Sequence, residues 1–133
     1  MNYQNFSESH RRTISSALKV VERLVVEIES ALKSPVQETM FVLVDDVDHD
    51  RREQSLRRIK EIKTTIARLH SKYNLPTEKL GVSWMIQINK TKIWEVLCNT
   101  TSKRLNNYGT LPSEEAPGFD NDISQLMSMI EKL

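Results

Sequence analysis

From Arg51 to Tyr73 the apolar positions recur every third or fourth residue, at Leu56, Ile59, Ile62, Ile66, Leu69 and Tyr73. At about 100° per residue they form one stripe on a helix, with Arg57, Glu61, Thr64, Arg68 and Lys72 on the far side. Asp50-Arg-Arg-Glu53 resembles a capping box with Asp in the capping place, and the helix could begin as early as Asp46. Asn74 and Pro76 end it.

The same period organises the rest of the chain. Ile14, Leu18, Val21, Leu24, Val25, Ile28 and Leu32 predict a first helix, capped by Ser7 or Ser9. It lasts to Lys33, because the residue before Pro35 is pushed out of helical geometry. Thr77 is the expected cap of a third helix that runs to about Tyr108, with Gly109 as its left-handed end. Val82, Ile86, Ile93 and Leu97 set its core face. Asp120 is the expected cap of a short last helix, with Ile123, Leu126, Met127 and Ile130 inward. Met40 to Val44, MFVLV, has strand-like composition but no second strand to pair with, so it reads as a connector laid against the helices. Four helices with short connections imply an all-α, up-down-up-down four-helix bundle, a single domain over residues 1–133. Ile59, Ile66, Val21, Ile28, Ile93 and Leu97 are the expected common core.

Composition narrows this picture. The single Cys98 forms no disulfide within the chain, which points to a cytoplasmic setting. No apolar run approaches the ~20 residues of a membrane span, and the first twelve residues lack the apolar core of a signal peptide. The net charge of +1 is unevenly spread: −5 over residues 35–50, +9 over 51–109 and −4 over 110–133. Acidic connections folding over basic helix ends explain that pattern better than a phosphate-binding surface does. A nucleic-acid site would use Arg51, Arg52, Arg57, Arg58, Lys60, Lys63 and Arg68. These wrap around the second helix instead of sharing one face, and no aromatics alternate with them.

Candidate chemistry is sparse. His10 and His70 fall at one level of an antiparallel first hairpin, with Glu78 across the next turn, a possible metal or proton site. Two neutral imidazoles finishing the core is the simpler account. Asp46-Val-Asp48-His-Asp50 alternates like a calcium loop, but Arg51 and Arg57 stand where that loop needs Gly and Glu. Level matching through the second turn brings Arg104 and Tyr108 near Asp46, Asp48 and His49. That is a small polar pocket, or an ion pair tying down the connector. An enzyme would use this end, yet nothing there identifies a nucleophile, and no cofactor or metal is implied.

One surface feature remains. Trp84 and Ile88 lie one turn apart on the face of the third helix away from its core stripe, flanked by Met85 and Trp94. A Trp-centred patch needs a cover: the MFVLV connector, Tyr3 with Phe6, or a second copy of the chain. The chain therefore reads as a noncatalytic protein-interaction or regulatory module, with a homodimer or another protein as its partner.

Overall fold

The computed structural model describes residues 6–133. Among them the chain is all-α, with five helices and no strand: α1 Glu8–Lys33, α2 His49–Lys72, α3 Val82–Cys98, α4 Ser102–Leu105 and α5 Ala116–Glu131, with a 3-10 turn at Asn106–Tyr108 between α4 and α5. They fall into two compact units, Met1–Glu78 and Lys79–Leu133. Tyr3 lies outside the described residues.

The first unit is an antiparallel α1–α2 hairpin. Ser7 caps α1, its Oγ accepting from the His10 N–H at 3.1 Å. The cap of α2 is Asp48, two residues before the expected Asp50, and its Oδ1 accepts from the Arg51 N–H at 2.8 Å. The helix therefore starts at His49, and Asp50 becomes an acid in its first turn, where it complements the macrodipole. At the other end Asn74 adopts φ 48°. The Leu75 N–H then reaches the His70 carbonyl at 3.0 Å, and the Asn74 N–H reaches that of Ser71 at 3.3 Å. This pair of bonds is a Schellman stop with Asn in the left-handed position. It turns Leu75 inward, and Leu75 joins Ile59 and Ile66 as the buried apolar residues among those described.

MFVLV does find something to pair with. Gln37 and Val42 form an isolated antiparallel bridge, closed by Glu38 N–H to Phe41 O and Leu43 N–H to Val36 O, both at 2.9 Å. Leu43 is half-buried, while Met40, Phe41, Val42 and Val44 are open to solvent. The connector is thus a bridged loop with one inward residue.

The second unit holds α3, α4 and α5. Ile93 and Leu97 of α3 are half-buried with Phe119, Ile123, Met127 and Ile130 of α5. The expected inward residue Leu126 is exposed instead. The helix expected to reach Tyr108 ends at Cys98. Asn99-Thr-Thr-Ser102 is a run whose side chains compete for backbone groups, and Thr100 Oγ1 bonds the Val96 carbonyl at 2.8 Å. Asp120 lies inside α5, which starts at Ala116 without a side-chain cap. Its carboxylate caps the neighbouring helix instead: the Ser102 N–H donates to Oδ1 at 2.8 Å and the Ser102 hydroxyl to Oδ2 at 2.5 Å. Lys90 donates to the carbonyls of Glu131 and Leu133 at the end of α5, at 2.8 and 3.3 Å. A cation there meets the negative end of the macrodipole. No described helix is long and apolar enough to cross a membrane.

Candidate functional site

The acidic connector and the arginine that answers it lie within the first unit. Arg52, in the first turn of α2, donates to the Leu32 carbonyl at the end of α1, to Asp45 Oδ1 at 2.5 Å and to the Val47 carbonyl at 3.2 Å. One guanidinium thereby ties the end of α1 to the strap that follows it. The Arg52 hydrogen bond, with help from the Val47 N–H, holds the Asp45 carboxyl below the usual aspartate range. The sequence singled out Arg104 for this partnership. Arg104 sits on α4 and Tyr108 on the exposed 3-10 turn of the second unit, while Asp46, Asp48 and His49 belong to the first. Asp48 is occupied as a helix cap.

The histidine end of the hairpin is built from packing contacts. Phe6 stacks on Tyr73 with centroids 5.2 Å apart, and it meets His10 edge-on at 6.2 Å. His70 shares a 2.8 Å hydrogen bond between Nε2 and Thr77 Oγ1, so Thr77 ties down the return after α2. Gly81, with no side-chain bond, stands at the start of α3 in the place expected for Thr77. Glu78 is ion-paired with Lys19, and that contact lowers its carboxyl below the usual range. Ser15 Oγ donates to the Pro76 carbonyl at 3.0 Å. These groups surround a groove of about 340 Å³ between α1 and the return, floored by Leu18, Ile66 and Leu75. Most of its polar groups are engaged, Ser15 with Pro76, Lys19 with Glu78 and His70 with Thr77. Among the described residues no three His, Cys, Asp or Glu side chains gather as a metal site.

Several bases of α2 are likewise engaged. Lys63 bonds Glu29 at 2.6 Å and holds that carboxyl low, Arg52 is taken by the connector, and Arg58 pairs with Glu61 at 3.1 Å.

Apolar exposure is what stands out. On α3, Trp84, Met85 and Trp94 are open, Trp84 at 58%. Ile88, expected beside Trp84 on the open face, is half-buried, whereas Val82, expected in the core, is 68% exposed. On α1, Val21, Leu24 and Ile28 are 43%, 54% and 55% exposed, although their spacing marks a core stripe. Periodicity identified the stripe, but it could not say how much of it α2 covers.

No protein-family model matches the chain, and no curated protein or solved structure matches it either. Its function has to be argued from these residues.

Proposed function

We propose that the chain is a noncatalytic helical module that works through protein contacts, with a second copy as its first partner and the cytoplasm as its setting. The observation that carries this is the open apolar surface. Only Ile59, Ile66 and Leu75 are buried among the described residues, while apolar rows on α1 and α3 are open. Scattered exposed apolar residues are ordinary, but rows at helical spacing are surfaces for a partner. Many of the polar side chains act as caps, clamps and strap contacts, which supports an interaction role over an enzymatic one. The bases of α2 support nucleic-acid binding less well, since Arg52 and Lys63 are engaged with acids and the exposed ones are spread around the helix.

The test uses the two tryptophans, both on α3. Self-association makes the full chain exceed 15.5 kDa at micromolar concentration, and acrylamide quenching of the tryptophans reads whether the α3 face is open to a partner. A chain that stays monomeric, with its tryptophans shielded from acrylamide quenching, would contradict the reading.

A further inference from the structure

We infer that the open face of the α1–α2 hairpin is the seat of a second copy of this chain, the two hairpins closing into a four-helix bundle about a twofold axis parallel to the helices. This rests on the interaction-module reading and names its partner and surface.

The hairpin has two unlike sides. Along α1 the row facing α2 is Ile14, Leu18, Val25 and Leu32, all half-buried. Beside it runs a second row, Ala17, Val21, Leu24 and Ile28, stepping by four, three and four residues. That is the seam spacing of a helix built to pack against another helix, and its large members are open. On α2 the buried pair is Ile59 and Ile66, and Ser55, Arg58 and Ile62 lie a step to one side, with Ile62 39% exposed. Ile28 lines a shallow groove with Ser55, Arg58 and Ile59, which puts the two open rows on the same side of the hairpin. On the other side Pro76 and Glu78 are laid over Ser15 and Lys19, and Val26 is the large apolar residue left open there.

The open row on α1, from Ala17 to Ile28, is about 18 Å long at ~1.5 Å per residue, and two helices side by side are roughly 20 Å wide, so the apolar part of the face is roughly 360 Å². That is an apolar centre, and the polar and charged residues of α2 that line the groove beside it are its rim. Two such hairpins facing each other supply the four-sided core that one hairpin lacks.

Charge selects the arrangement. Arg51, Arg57 and Arg58 border the face on α2, in the groove with Ile28, together with one acid, Glu61, which pairs with Arg58 across an exposed contact. On α1 its edge charge is Glu27, next to Ile28. Arg23 belongs to the covered side, where it acts on Glu78. A twofold axis perpendicular to the helices would set the basic α2 of one copy antiparallel against α2 of the other, cation-rich helix on cation-rich helix. An axis parallel to them sets α1 of one copy against α2 of the other, antiparallel, and preserves level. Because Ile28 and Arg58 share a groove, Glu27 of each copy then meets Arg58 of the other, twice per dimer.

The test is a charge swap in the full chain. Glu27 and Arg58 are both exposed, so neither change disturbs the hairpin core. Glu27→Arg alone creates two like-charge contacts per dimer, and so does Arg58→Glu alone. Each single variant should weaken the dimer about tenfold or more by sedimentation equilibrium. An equimolar mixture of the two should restore wild-type association, because the heterodimer regains opposite charges at both contacts. A wild-type dimer whose swapped variants do not rescue each other would overturn the inference. So would a wild-type chain that remains a monomer. In the monomer case, maleimide labelling of Leu24→Cys in a Cys98→Ser background separates the two readings. Fast labelling leaves an open face for a different protein, so the interaction reading survives without the second copy. Protection means that the chain covers the face itself, and then both readings fail.

Discussion

Replacing Ile66 by Ala tests whether the hairpin is held by its narrow core. Ile66 is 9% exposed and lies one heptad beyond Ile59 on the buried side of α2. The change removes three carbons, worth about 2.4 kcal/mol at ~0.8 kcal/mol each. Scaling by burial leaves about 2.2 kcal/mol, and a residual cavity raises the cost toward ~3 kcal/mol. The seat is thin, with the 340 Å³ groove beside it, so partial collapse should keep the loss in the lower half of the range for such substitutions. Ile62→Ala is the control on the same helix. At 39% exposure it forfeits about 1.5 kcal/mol of transfer energy and leaves no enclosed void. The assay is reversible urea unfolding of the full chain at fixed concentration, followed by far-UV circular dichroism and by tryptophan fluorescence. Both tryptophans lie in the second unit, so a shift in dichroism without one in fluorescence assigns the loss to the hairpin. A cost for Ile66→Ala below ~0.5 kcal/mol, or below that of Ile62→Ala, would refute the reasoning.

Three further outcomes follow from the contacts. Arg52→Met frees the Leu32 carbonyl, Asp45 and Val47 at once, so limited proteolysis between Pro35 and Asp48 should accelerate while α1 and α2 persist; unchanged cleavage would remove Arg52 as the anchor. Asp45 and Asp120 have folded-state acidities set below the usual aspartate range, by Arg52 and by Ser102 respectively. Their stabilisation is complete above that range and is lost as pH falls through the depressed values; the acid limb of a stability profile should therefore flatten in Asp120→Asn, with faster amide exchange at Leu105 in α4. Asn74→Gly should be neutral within a few tenths of a kcal/mol, while Asn74→Ala should cost about 1 kcal/mol, because only the former accepts φ 48° without strain; equal stability of the two would contradict the Schellman assignment.

The helices themselves were legible because their signals are local. Ser7, Pro35 and Asn74 mark ends through hydrogen bonds or steric clashes that involve neighbours in sequence. Asp48 and Asp50 are both plausible caps, and only the backbone geometry chooses between them. Leu75 was missed although its signal was present: an apolar residue directly after a left-handed Asn is turned back onto the helix it follows. The break at Asn99-Thr-Thr-Ser102 was also readable, but the apolar spacing through Leu97 hid it. What spacing does not carry is the identity of the covering partner. Val21 and Ile28 obey the same period as Leu18 and Val25, yet α2 covers one row and leaves the other open. Arg52 posed the same difficulty, since sequence shows cations available to the acidic connector without showing that this one meets Asp45.

The central claim is that the open apolar rows are seats for protein, and first for a second copy. Sedimentation equilibrium of the unmodified chain across micromolar concentrations tests it most directly. The account predicts a mass that rises to twice the 15.5 kDa of one chain and returns to it on dilution; a single species that holds at 15.5 kDa throughout would contradict the dimer.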